Sequence, residues 1–143
     1  MAELTFTLDL AAPRERVFTA LTDARHLEHW FCNRAQSDAR PAGRIEFRWS
    51  GPTASEEPFV GSWVQFDPHE ACAWQGGHSG YPDGDSGTVL FELIALSHGT
   101  QLRVRHSFPD PDVYAPFVAT YQDAWPRALR RLTDYLTPAS ATT

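Results

Sequence analysis

One histidine of this 143-residue chain stands in a row of apolar residues, where a polar ring has a chemical consequence. His106 alternates with Leu102, Val104 and Phe108, so a strand there turns all four side chains to one face. A polar ring on an inward face needs a hydrogen-bond partner. It serves either as a core histidine, bonded to Tyr121 or to a backbone carbonyl, or as a polar anchor for a bound molecule. General-base catalysis is a less favoured third use.

Metal binding is the second chemistry that the residue types suggest. His26, His29 and Cys32 are spaced three residues apart in a short predicted helix, but this spacing matches no familiar zinc motif and no fourth ligand is evident. Asp83 and Asp85 resemble the start of a calcium loop, but a third acidic ligand and a terminal glutamate are missing. We therefore predict no metal site and no cofactor.

The sequence signatures of common catalytic sites are otherwise missing. The chain has no Gly-x-Ser-x-Gly motif, and Gly76 and Gly77 do not precede a helix as a phosphate-binding loop would. No pair of carboxylates falls on one predicted inward face, so acid-base hydrolysis has no evident residues. We assign no catalytic residues and expect a binding protein in preference to an enzyme.

Composition and charge narrow the partners and the compartment. A net charge of −6 argues against nucleic acid as the main partner. No apolar run approaches the roughly 20 residues that cross a bilayer, so no membrane insertion is expected. Two cysteines do not form a disulfide framework, and no basic region marks a signal peptide near Glu3 and Asp9. A cytoplasmic protein, either a monomer or a homodimer, is the expectation.

The positioning elements follow from hydrophobic periodicity, which predicts a strand, two helices, a series of six strands and one long helix. Pro13 is placed as the first residue of the first helix, and Asp23 as the cap of the second. The second helix should bury Leu27, Trp30 and Phe31. Strands are predicted at residues 3–10, from Arg34 onward, and at 44–49, 59–66, 71–75, 88–96 and 101–108.

The long helix is predicted over residues 112–136. Asp112 is expected to cap it, Pro138 to end it, and Pro126 to cause a kink or a restart near Trp125. Its apolar residues recur every three or four positions on one face: Val113, Phe117, Val118, Tyr121, Trp125, Ala128, Leu129, Leu132 and Leu136.

The stretch 76–87 contains five glycines and Pro82, which makes it too long for a simple hairpin turn. A loop of this composition has little to hold it in place. We expect it to open and close over the mouth of any cavity near His106.

Four stretches carry a resemblance to a known family. They are residues 12–23 (APRERVFTALTD) with Trp30 and Phe31, residues 40–44 (RPAGR), residues 106–109 (HSFP), and Trp125 with Leu129, Leu132, Tyr135 and Leu136. In this order and spacing the chain resembles the START-like (SRPBCC, helix-grip, Bet v-like) superfamily, in particular the family of homologues of the activator of the 90-kDa heat-shock protein ATPase. The resemblance covers nearly all of a single domain predicted at residues 1–138, with a disordered tail predicted at 139–143.

The resemblance implies an α+β fold in which a curved antiparallel sheet wraps around the long C-terminal helix and leaves an apolar cavity between them. It also implies a small hydrophobic or aromatic ligand, lipid-like or polyketide-like, in that cavity. Aromatic side chains where sheet and helix meet either fill the core or line the cavity. The residues expected to contact the ligand are Trp30, Phe47, Trp49, Trp63, Phe91, His106, Phe117, Tyr121 and Trp125.

Two other functions stay open at this point. One is a protein-interaction module similar to the chaperone activator's domain, with a protein partner bound at its surface. The other is an enzyme of the cyclase or hydrolase type built into the same cavity, because related folds host several activities. An open apolar cavity favours the ligand-binding protein, and a closed one favours the interaction module.

Overall fold

The computed structural model describes residues 2–51 and 57–137. The predicted end of the long helix at Pro138, the predicted tail at 139–143 and part of the loop around residues 50–58 lie outside the described residues.

Within the described residues, seven strands and three helices follow the predicted order. They are β1 (Ala2–Leu10), α1 (Arg14–Thr22), α2 (Ala24–Trp30), β2 (Arg34–Ser37), β3 (Arg44–Arg48), β4 (Phe59–Asp67), β5 (Ala71–Gly77), β6 (Thr88–Leu96), β7 (Gly99–Phe108) and α3 (Ala115–Leu136), with a short 3₁₀ turn (Pro82–Gly84) between β5 and β6. The strands form one antiparallel sheet in the order β1-β7-β6-β5-β4-β3-β2. The α+β helix-grip fold is confirmed.

The alternation predicted for β7 is confirmed. Leu102, Val104, His106 and Phe108 are buried, whereas Arg103 and its neighbours on the opposite face reach solvent. Because successive side chains of a strand point to opposite faces, the strand contributes a continuous apolar surface to the inner side of the sheet. His106 is the polar interruption of that surface.

The two short helices begin almost as predicted. Asp23 caps α2, and its carboxylate accepts the backbone N–H of Arg25 at 2.9 Å. Pro13 is the N-cap residue of α1 and not its first helical residue. The Trp30 indole N–H donates to the carbonyl of Ala20 at 2.8 Å, which ties α2 to α1 above the sheet.

The start of α3 differs from the prediction. The helix begins at Ala115, with Tyr114 as its N-cap, so Asp112 does not cap it. Asp110 instead accepts the backbone N–H groups of Asp112 and Val113, at 2.9 and 3.3 Å. These bonds stabilise a turn that competes with helix formation, which is why the helix starts later than its apolar pattern.

Pro126 lies inside α3 without ending it. The helix is continuous from Ala115 to Leu136, and the predicted restart near Trp125 is not found. Five buried residues bind the helix to the rest of the core: Trp125, Ala128, Leu129, Leu132 and Leu136. Their burial offsets the backbone hydrogen bond that a proline removes.

Trp49 was predicted to end the third strand, but it lies outside that strand. It follows the last residue of β3 and is 40% exposed, so it is not an inward residue of that strand. Its indole N–H donates to the carbonyl of Phe31 at 2.8 Å, which holds the ring across the end of α2.

No helix among the described residues is long and apolar enough to cross a membrane.

Candidate functional site

A cavity of about 250 Å³ lies between α3 and the sheet. The helix contributes Thr120, Tyr121, Ala124, Trp125, Ala128 and Arg131. The strands contribute Phe47, Phe59, Trp74, Val89 and His106, and the connecting segments contribute Phe31, Trp49, Tyr81 and Ser86. The wall is therefore mainly aromatic and aliphatic, with a few polar groups.

Five of the nine residues predicted to contact a ligand lie on this wall: Phe47, Trp49, His106, Tyr121 and Trp125. Phe47 and Trp125 are buried, whereas Trp49 reaches solvent. Phe47 comes from β3 and Trp49 from the segment that follows it. His106 comes from β7, and Tyr121 and Trp125 come from α3. Contact with a ligand stays a prediction for each of them.

The other four predicted residues do not line the cavity. Trp30 and Trp63 are each 1% exposed, and the Trp63 indole N–H donates to the hydroxyl of Ser37 at 3.1 Å. Phe91 is fully buried behind the wall, with its ring 5.2 Å from that of Trp74. Phe117 packs on Tyr81, with ring centroids 5.1 Å apart. All four pack in the structure around the cavity, and their contact with a ligand stays a prediction.

His106 is a core histidine whose two ring nitrogens are both bonded within the protein. The indole N–H of Trp125 donates to Nδ1 at 3.1 Å, so Nδ1 must accept and Nε2 carries the proton. Nε2–H then donates to the carbonyl of Ser86 at 2.7 Å. The interpretation as a histidine bonded to a backbone carbonyl is confirmed. The ring has no free nitrogen for a ligand or for proton transfer.

Burial also keeps His106 neutral. Removal from water lowers its pKa from 6.5 to about 4, and the bond to the Ser86 carbonyl only partly opposes this effect. The ring stacks on Phe108 with centroids 4.2 Å apart, and the ring of Tyr121 meets it edge-on at 4.5 Å. His106 therefore contributes an apolar face and a satisfied polar edge to the cavity.

Gly87 allows the backbone turn that places the Ser86 carbonyl beside His106. Its backbone has a φ of +95°, and a Cβ there would lie 2.2 Å from the carbonyl oxygen of Ser107. A side chain would therefore push this segment away from β7. The backbone N–H of Gly87 donates to the carboxylate of Asp85 at 2.8 Å, which fixes the turn.

Two tyrosine hydroxyls form the main polar spot on the wall. The hydroxyls of Tyr81 and Tyr121 share a hydrogen bond of 2.5 Å. Burial raises the pKa of both phenols, so both are neutral at ordinary pH. The hydroxyl of Ser86, close by, donates to the carbonyl of Gly76 at 2.8 Å.

The loop that was expected to move is held by several hydrogen bonds. The Tyr114 hydroxyl lies 2.7 Å from the carbonyl of Asp85 and 3.1 Å from that of Pro82, and Tyr81 is tied to Tyr121. The backbone N–H of Ser86 donates to a carbonyl of β5 at 2.8 Å. The assumption that little holds this loop is wrong, because tyrosines before and within α3 bind it.

The cavity reaches solvent where its exposed lining residues lie, namely Trp49, Thr120 and Arg131. Arg131 is oriented by its Nε–H, which donates to the carbonyl of Trp30 at 2.9 Å. We call the region around Trp49 and Arg131 the mouth.

The predicted grouping of His26, His29 and Cys32 serves packing. His26 Nδ1 and the Tyr135 hydroxyl are 2.7 Å apart, and His29 stacks on the same tyrosine ring at 5.0 Å. Burial raises the pKa of Cys32 to about 12, and its thiol donates to the carbonyl of Arg34 at 3.2 Å. Within residues 2–51 and 57–137, no group of three potential metal ligands is placed to hold an ion.

The model of one protein family matches residues 11–137 of the chain, and its description is Activator of Hsp90 ATPase homolog 1-like protein. The chain belongs to this family. No curated protein matches the chain.

Several bacterial proteins have solved structures with the same fold as this chain. A Rhodobacter sphaeroides protein is 20% identical with a TM-score of 0.80, over 94% of this chain and 91% of that chain. A Mesorhizobium loti protein is 19% identical with a TM-score of 0.79, over 94% and 96%. The Aha1 dimer from Colwellia psychrerythraea is 21% identical with a TM-score of 0.77, over 95% and 96%. At these identities the likeness shows the fold alone.

Family and fold together support a general function for the chain, namely a ligand-binding or interaction module.

Sequence reasoning missed several wall residues, among them Phe31, Trp74, Tyr81 and Arg131. Trp74 was hidden because Cys72, Ala73 and Trp74 are all buried and show no alternation. Tyr81 lies outside the regular elements, and Arg131 lies on the face of α3 that the pattern assigns to solvent.

Proposed function

We propose that the chain binds one small, largely apolar aromatic molecule in the cavity between α3 and the sheet. The observation that carries this proposal is the cavity itself: about 250 Å³ lined mainly by aromatic and aliphatic side chains and reaching the surface at the mouth. Concave apolar pockets with a few polar groups are the usual sites for small ligands. Filling the cavity would remove apolar wall surface from water, which is favourable.

The volume limits the size of the ligand. An apolar cavity of about 150 Å³ holds benzene, so about 250 Å³ should hold an apolar body of roughly ten non-hydrogen atoms. A fused two-ring aromatic has this size. A compact polyketide-like or other aromatic molecule therefore fits better than a full-length lipid chain.

The hydroxyls of Tyr81 and Tyr121 offer one polar contact on the cavity wall. Each can exchange or extend their shared hydrogen bond toward a hydroxyl or carbonyl of a ligand. Such a bond contributes about 0.5–1.5 kcal/mol net, so most of the affinity would come from apolar burial. His106, which is already fully bonded, has no part in this contact.

The test is a titration with 2-naphthol, followed by the fluorescence of the tryptophans that line the cavity. Ala124 is a half-buried wall residue of α3, and Ala119 is an exposed residue of the same helix. Ala124→Phe should fill the cavity and weaken binding at least about tenfold, because the added ring takes space that the ligand needs. Ala119→Phe adds the same ring outside the cavity and should bind as the wild type does.

Thermal unfolding of both variants shows whether each is folded. No binding of 2-naphthol by the wild-type protein at millimolar concentration would contradict the proposal, and so would equal binding by a folded Ala124→Phe variant. Either result would favour the protein-interaction module, whose partner would bind the surface and tolerate a filled cavity.

A further inference from the structure

Arg131 is the only charged side chain that lines the cavity among the residues that the structure describes. It stands at the mouth, on the exposed side of α3, and the apolar wall begins directly beside it with Phe31, Trp49 and Ala128. A single cation at the entrance of an apolar cavity is an arrangement suited to an amphipathic ligand with one negative end.

The guanidinium of Arg131 is held in place but not neutralised. Its Nε–H donates to the carbonyl of Trp30, the last residue of α2, where helical carbonyls lack a partner along the helix. Within the described part of the chain, no carboxylate lies within 4.0 Å of it, whereas Arg127 pairs with Asp123 at 3.1 Å.

An acidic side chain beside the same surface hollow is held by another contact. Glu28 borders the same surface hollow as Arg131, but its carboxylate accepts the backbone N–H of Ala35 at 2.9 Å. The terminal N–H groups of Arg131 make no hydrogen bond with any described residue. They form a planar fork whose geometry matches a carboxylate.

We propose that the ligand is an aromatic carboxylate whose acid group binds the terminal N–H groups of Arg131 while its ring system occupies the cavity. This inference rests on the proposed function and adds the charge of the ligand to it. The size of the cavity sets the ring system, and Arg131 sets the position of the acid group at the mouth.

A purely structural role for Arg131 is the alternative. In that case the guanidinium serves only to satisfy the carbonyl of Trp30, and its loss would loosen the mouth for every ligand to the same extent. The two roles differ in one measurable quantity, namely the ratio of the affinities for a charged ligand and its neutral isostere.

The experiment measures dissociation constants of 2-naphthoate and 2-naphthamide by isothermal titration calorimetry at low and at physiological salt. The two probes share the ring system and the shape of the head group but differ in charge. The wild type should prefer the carboxylate by about tenfold at low salt, and by less at higher salt, because an exposed ion pair is screened.

Arg131→Gln should abolish the preference and leave the affinity for 2-naphthamide nearly unchanged. Arg130→Gln is the matched control, because it removes the same charge from the next residue of α3, which does not line the cavity. Arg130→Gln should keep the preference for the carboxylate. This result would separate the effect of net charge from the effect of a charge at the mouth.

The outcomes distinguish the two claims. If the wild type binds both probes equally, or if Arg131→Gln and Arg130→Gln behave alike, the carboxylate inference is wrong and the cavity remains a site for neutral molecules. If Arg131→Gln weakens both probes equally, Arg131 is structural and the inference is again wrong. If neither probe binds, the proposed function fails together with it.

Discussion

The first ten and the last twelve residues of α3 pack against different parts of the protein. We call residues 115–124 the cover half and residues 125–136 the grip half. All five buried residues of the helix lie in the grip half. The cover half has none, and its half-buried side chains, such as Phe117 and Tyr121, face Tyr81 and the loop after β5.

This difference gives the two halves of one helix different shares of the stability, although both contribute residues to the cavity wall. The grip half packs into the core, where each buried apolar side chain contributes a large share of the folding free energy. The cover half lines the cavity with partly buried or exposed side chains, namely Thr120, Tyr121 and Ala124, so it contributes less to the folding free energy and can adjust to a ligand. Trp125 lies at the boundary, where it packs into the core and also bonds His106.

The largest effect is expected for Trp125→Ala. The indole is 3% exposed, so the truncation should leave a cavity and a histidine nitrogen without its donor. We expect a loss of about 3–5 kcal/mol in the free energy of unfolding, measured by urea denaturation. Phe117→Ala in the cover half should cost clearly less, because that ring is only half-buried. An equal loss for the two variants would remove the distinction between the halves.

The second effect concerns the pH dependence at the boundary. The folded pKa of His106 is lowered to about 4 against 6.5 in the unfolded chain, so the unfolded state takes up a proton first as the pH falls. The stabilisation is complete above pH 6.5 and is lost as the pH approaches 4, with a span of about 3 kcal/mol. Urea denaturation at intervals from pH 7.5 to pH 4.5 should follow this loss.

His106→Gln tests the assignment, since an amide can accept from Trp125 and donate to Ser86 but does not titrate. Its stability should fall less steeply with pH than that of the wild type. His98→Gln, at an exposed position, should keep the wild-type slope. A His106→Gln variant that loses stability as steeply as the wild type would show that other groups cause the dependence.

The fold was predictable because its elements follow local periodicity. Alternation identified β7 with its inward His106, and the spacing of apolar residues identified α3 from Phe117 to Leu136. The cap of α2 at Asp23 was readable from residue type alone. The start of α3 was not, because Asp110 competes for the backbone groups that Asp112 was expected to serve.

The cavity was only partly predictable because its wall depends on contacts between distant segments. The indole N–H groups of Trp30 and Trp63 form hydrogen bonds inside the core, whereas Trp74 lines the cavity. No local sequence pattern distinguishes these tryptophans. The partner of His106 is a backbone carbonyl twenty residues earlier in the chain, which periodicity does not reveal. Arg131 carries a charge, and only the tertiary fold brings the end of α2 beside it.

The smallest effect compares the same substitution in the two halves. Tyr121→Phe removes the hydroxyl bonded to Tyr81, and Tyr135→Phe removes the hydroxyl bonded to His26. Both tyrosines are half-buried, so each variant should lose about 1 kcal/mol of unfolding free energy. Only Tyr121→Phe should also speed amide hydrogen exchange in residues 78–87, because it releases the loop from the cover half. It should then raise the association rate of 2-naphthol, whereas Tyr135→Phe should leave that rate as in the wild type. Faster loop exchange in Tyr135→Phe, or none in Tyr121→Phe, would show that the loop is held from another side.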